Sequence, residues 1–138
     1  MKFTLRIILL TIWIFSMSIH ASNIKIMRLI TGDDGHSYLK KDTIELLPSK
    51  VGVASDEIKV NTAVFGNAGT GSQAFHNAPR PLYIIILSGI MQIETSKGDK
   101  HDFKAGEILL AEDLTGIGHK TRSLNDIPVS YLSMSIDE

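Results

Sequence analysis

The stretch QAFHNAPRPLYIIILSG, residues 73–89, decides how the rest of the chain is read. Pro79 and Pro81 fix their own φ and restrict the residues before them, so Arg80 is held on a stiff segment. Leu82 to Leu87 is an unbroken apolar run, bounded by proline on one side and Ser88-Gly89 on the other. It is too short for a buried helix and has no polar face, which predicts a strand covered on both sides.

Period-two patterning continues outward in both directions. Downstream, Ile90 to Thr95 sets Met91 and Ile93 against Gln92 and Glu94. Ser96-Lys97-Gly98-Asp99 is a polar, glycine-containing hairpin turn. Lys100 to Phe103 is the return strand, Lys104-Ala105-Gly106 turns the chain, and 107–111 and 129–136 are further strands. Upstream, Ile24 to Ile30 alternates and breaks at Thr31-Gly32-Asp33-Asp34-Gly35. Thr43 to Leu47 is a short strand closed by Pro48, 48–57 reads as a loop, and Ile58, Val60, Thr62 and Val64 share one strand face. No helical period appears after residue 23. Many short strands between turn signals predict an all-β sandwich or barrel.

The N-terminus has a different character. Lys2 and Arg6 precede an apolar stretch from Ile7 to Phe15, and Ala21 and Ser22 are small. That is the layout of a secretory signal over 1–21, leaving a domain over 22–138; an uncleaved anchor or an ordinary first strand is the alternative. The apolar part is shorter than the ~20 residues of a bilayer span, so cleavage leaves no stable membrane span. The expected location is therefore the periplasm or the medium. The 138 residues contain no cysteine, which excludes disulfides, thiol catalysis and cysteine-ligated metals. A formal charge of −1 offers no basic excess for nucleic acid.

The order of strands and turns resembles the cupin superfamily over roughly residues 60–136. Two segments carry the resemblance: His76-Asn77-Ala78-Pro79-Arg80 through Gly89, and Phe103-Lys104-Ala105-Gly106-Glu107 through Asp113-Leu114-Thr115-Gly116-Ile117-Gly118-His119. The resemblance implies a single-domain jelly-roll (cupin-type) β-barrel. Metal-binding cupins use a His-x-His pair and a Glu in the first motif and a His in the second. Here the second His matches His76 and the last matches His119, whereas Ala74 and Leu82 stand at the other two positions.

Two imidazoles alone hold a catalytic divalent ion poorly, because such sites use three protein ligands. Glu112 or Asp113 is the candidate third ligand for iron, manganese or zinc. The other reading has His76 and His119 lining a polar pocket mouth. Strand alternation leaves the acids open, since Leu109, Ala111 and Asp113 share one face and Ile108, Leu110 and Glu112 the other. Arg80, stiffened by its flanking prolines, suits a ligand carboxylate or an internal partner, Glu112 or Asp113. Gly66-Asn67-Ala68-Gly69-Thr70-Gly71 lacks the Lys and the following helix of a phosphate loop. His36 and His101 read as surface residues, and no serine sits in a nucleophile elbow.

Two function classes follow. One is a metal-free module that binds a small molecule through Arg80, His76 and His119. The other is a metal-dependent enzyme, of oxygenase, isomerase or lyase type, acting on a small organic substrate. The apolarity of 82–87 and 107–111 on both faces also calls for a second buried surface, which a homodimer would supply.

Overall fold

Apolar–polar alternation builds eleven strands in the computed structural model, which describes residues 23–136; the signal expected over 1–21 lies outside the described residues. The strands are β1 (Ile24–Thr31), β2 (Ser37–Ile44), β3 (Leu47–Ser49), β4 (Gly52–Ala54), β5 (Val60–Ala68) and β6 (Leu82–Ser88). They continue with β7 (Ile90–Thr95), β8 (Lys100–Lys104), β9 (Ile108–Glu112), β10 (His119–Ser123) and β11 (Val129–Ile136). A six-stranded sheet runs β2-β1-β9-β6-β11-β5, and a three-stranded sheet runs β10-β7-β8. Every pairing within them is antiparallel except β1 with β9, which is parallel. The short β3–β4 hairpin stands apart from both sheets.

The two sheets enclose one core. Leu29, Ile86, Leu109 and Val129 face it from the large sheet, and Met91, Ile93 and Phe103 from the small one. Residues of one parity on each strand therefore point inward, as the pleat requires. This is a two-sheet jelly roll, and the all-β expectation holds.

The opposite face of the large sheet is also apolar. The register sets Phe65, Leu132, Ile85 and Ile108 side by side across four strands, with Ala63, Met134, Tyr83 and Leu110 in the neighbouring row. Phe65 is 76% exposed and Leu87 47% exposed on this face. The run 82–87 is thus apolar on both sides because one parity fills the core and the other coats the sheet's outer surface.

Three local expectations are corrected, and one strand is added. The second strand is Ser37–Ile44 rather than 43–47; its Lys40-Lys41-Asp42 run carries no strand period, but as an edge strand it needs only one partner, β1. Residues 48–57 are not all loop, since Leu47–Ser49 and Gly52–Ala54 form a hairpin. The strand expected at 58–64 starts at Val60 and continues through Gly66 to Ala68. Gly66 weakens strand propensity, yet it lies opposite Tyr131, whose ring occupies the space a Cβ would need. Finally, β10 (His119–Ser123) carries no hydrophobic signal, and its extended form follows from pairing with β7 along Thr95 to Met91.

Candidate functional site

The turn that starts β10 brings the two distant motifs together. On one side His119 pairs with Thr95 of β7; on the other it bridges His76 in the loop before β6. The His76 N–H donates to the His119 carbonyl and the His119 N–H to the His76 carbonyl, both at 2.9 Å. Such close approach depends on Gly118, which has φ +78° and packs where any side chain would run into the His76 carbonyl. Asn77 adds a clamp, its side-chain amide donating to the carbonyls of Asp113 at 3.0 Å and Thr115 at 2.7 Å.

The two imidazoles lie 4.4 Å apart between ring centroids, tilted by 53°. Nδ1 of His76 contacts the Ala74 carbonyl at 2.9 Å, and Nδ1 of His119 contacts Oδ2 of Asp113 at 2.6 Å. A carbonyl and a carboxylate only accept, so each ring donates from Nδ1 and its Nε2 is left without a partner among the described residues. Asp113 is fully buried, and its Oδ1 has no hydrogen-bond partner among the described residues. His119 is its anchor inside the protein.

Both rings line a cavity of about 200 Å³ between the two sheets. Leu82, Ile84, Met91 and Ile93 form apolar wall, while Gln73, Thr121, Tyr131 and Ser133 add polar groups. These four polar residues went unrecognised in the sequence. Tyr131 and Ser133 were legible there, because alternation along 129–136 places them on one face with Val129. Thr121 was not, since β10 has no strand signal.

The structure separates the two candidate acids. Glu112 lies on the outer parity of β9, where Oε2 accepts from Nε and Nη2 of Arg28, each at 2.7 Å. That hydrogen bond is the main cause raising the Arg28 pKa above its ordinary value. Asp113 follows the inner parity but spends its contact on Nδ1 of His119, so it orients a ring rather than completing a ligand set. Arg80 is exposed and does not line the cavity, and the two carboxylates expected to hold it are bonded elsewhere. His36 bonds Ser96 Oγ at 3.1 Å, and His101 is half-buried against Phe103 rather than free on the surface.

A three-ligand metal site does not fit these residues. Ala74 and Leu82 carry no donor, Glu112 faces outward, and Asp113 is committed to His119. Among the described residues no group of three or more His, Cys, Asp or Glu side chains is placed to hold a metal ion.

Fold and cavity together define an all-β, two-sheet jelly roll with a pocket between its sheets. No family model and no curated protein matches the chain. Among solved structures it is similar to protein NMB1881 from Neisseria meningitidis, at 13% identity and TM-score 0.46, covering 59% of this chain and 84% of that one. It is also similar to a protein assigned to ethanolamine utilization, EutQ, from Salmonella typhimurium LT2, at 11% identity and TM-score 0.44, covering 83% of this chain and 97% of that one.

Proposed function

We propose that this protein is exported and binds a small organic molecule, without a metal, in the cavity lined by His76 and His119. The carrying observation is the His pair itself. Two imidazoles are fixed by backbone exchange and by Nδ1 acceptors, so two Nε2 atoms unengaged by other described residues are offered at one cavity. That arrangement accepts N–H or O–H groups of a ligand, while Gln73 and Tyr131 supply further polar contacts and the aliphatic wall takes a short apolar part. At about 200 Å³ the cavity is below the ~300 Å³ at which drug-sized sites begin, so the ligand is compact.

Elemental analysis and thermal shift of the purified protein test the metal-free reading. The expected result is less than about 0.1 metal per chain, with a melting temperature that excess Zn²⁺, Mn²⁺ or Fe²⁺ leaves unchanged. About one ion per chain, lost in both H76A and H119A, would overturn it in favour of the metal-dependent enzyme.

Export rests on the charged start, apolar middle and small residues of 1–21. N-terminal sequencing of protein recovered from the cell envelope or medium checks it, with Ser22 as the expected first residue. Among the described residues no helix is long and apolar enough to cross a membrane.

A homodimer is part of the same proposal. The outer rows of the large sheet set mostly apolar side chains side by side across four strands, with Phe65 76% exposed and Leu110 buried. Phe65 and Leu87 leave apolar surface open on this face, which an interface would cover. A second copy suits it because the same rows, turned about a two-fold axis, present the same apolar chemistry.

A further inference from the structure

The His76–His119 cavity continues beyond its own wall. Ala68, Gln73, Met91 and Thr121 line it, and the same four residues line a neighbouring cavity of about 270 Å³. The neighbour lies one step further along β10: His119 and Thr121 face the first cavity, Thr121 and Ser123 the second. These three residues share the inward parity, because Thr121 pairs with Ile93 and Ser123 with Met91, both core residues. They form one row about 13 Å long, at ~3.3 Å per residue.

The glycine-rich stretch Gly69-Thr70-Gly71 bounds the far end. Ser123 Oγ donates to the Gly69 carbonyl at 2.8 Å, and the Ser123 N–H donates to the Gly71 carbonyl at 3.2 Å. The Gln73 N–H donates to the Thr121 carbonyl at 2.8 Å, so the neck shared by the two cavities is a backbone-paired rung. A segment with no phosphate-loop chemistry therefore serves as a wall of the binding space.

That space is polar but carries no fixed charge. Neither lining contains Asp, Glu or Lys. Arg122 turns to the other face of the small sheet, where its Nε donates to Gln92 Oε1 at 2.8 Å. The hydroxyls of Thr70, Thr121 and Tyr131 and the side-chain amide of Gln73 make no hydrogen bond to other described residues. Together with the two Nε2 atoms they offer a row of unengaged polar groups beside Met91.

We propose that the ligand of the His pair is a neutral polyol that extends into the second cavity. Its compact leading end lies at His76 and His119, and its tail hydroxyls lie at Thr121 and Thr70. The proposal rests on the His pair being a ligand site and names the class of molecule it takes. Each hydroxyl both donates and accepts, so it suits partners that do the same. A carboxylate or ammonium in this space would meet no opposite charge, which makes its desolvation costly.

The test is titration of the purified protein at pH 8 with erythritol, xylitol and sorbitol, followed by saturation-transfer NMR. Sorbitol should bind at least about fivefold more tightly than erythritol, because only the longer molecule reaches the second cavity. Gluconate and glucamine, which carry a charged end on the same carbon skeleton, should bind at least about fivefold more weakly than sorbitol. T70V and T121V each remove one hydroxyl at nearly constant volume. With their folds checked by circular dichroism, each should weaken sorbitol by roughly fivefold, and T70V should leave erythritol unchanged.

Three results would overturn the proposal: no saturable polyol binding by the folded wild type, gluconate or glucamine binding as tightly as sorbitol, or sorbitol binding that T70V and T121V leave intact. None of these touches the metal-free reading of the His pair, which fails separately, on about one bound ion per chain.

Discussion

Replacing His119 by Ala is the sharpest probe of how the site is built. The substitution takes away the hydrogen bond at 2.6 Å from Asp113 Oδ2, while Oδ1 of the same carboxyl already has no partner among the described residues. A fully buried acid is then left with no side-chain partner. Breaking a buried pair from one side costs about 3–5 kcal/mol, more than either group's packing would suggest. For a domain of this size each kcal/mol is worth about 4 °C, so H119A should melt about 12–20 °C below wild type. D113N keeps an acceptor oxygen near the ring and should lose only about 1–2 kcal/mol. The double variant H119A/D113A should fall short of the sum of its singles by about 2 kcal/mol, because the second change removes the stranded acid. Scanning calorimetry and urea unfolding of wild type, H119A, D113A, D113N and H119A/D113A give the values needed. A drop below about 4 °C for H119A, or strict additivity of the two singles, would refute the claim that the ring anchors a buried acid.

Other outcomes follow from separate features. Gly118→Ala puts a side chain at φ +78° against the His76 carbonyl, so it should cost about 2 kcal/mol or more and weaken ligand binding at the His pair, both measurable by thermal shift. Phe65→Asp on the outer rows should halve the mass found by size-exclusion chromatography with light scattering and abolish any dependence of melting temperature on concentration. Lys97 and the Tyr38 hydroxyl bond Asp34 at 2.9 and 2.6 Å, holding its carboxyl well below the ordinary range. Its folded pKa lies below the unfolded value of ~3.9, so the contribution is complete above that pH and is lost as pH falls through the folded value. Melting curves between pH 7 and pH 2 should therefore show D34N losing less stability than wild type below about pH 4, with the two slopes parallel above pH 5.

The sequence made the fold legible wherever a strand carries its own period. Ile90–Thr95 and Val129–Ile136 alternate against a solvated or outer face, and Leu82–Ser88 announces itself by having no polar side. Strands imposed from outside were silent. Ser37–Ile44 is charged because it lies on an edge, and His119–Ser123 is extended because β7 and the His76 loop hold it on both sides. The site shows the same division. His76 and His119 stood out by residue type and motif spacing, but their neighbours' roles depended on parity along β9, which one residue of register inverts. That parity sends Glu112 to Arg28 on the outside and Asp113 inward to His119. Proline-flanked stiffness says nothing about direction, and Arg80 is exposed away from the cavity lining.

The parallel pairing of β1 with β9 joins residues as far apart as Arg28 and Glu112, 84 positions along the chain. A ribosome delivers β1 first, yet its second partner emerges only after most of the polypeptide has been made. Closure therefore waits on a long-range encounter, whose loop-entropy cost makes it slow. A nascent chain of this design stays open through most of its synthesis.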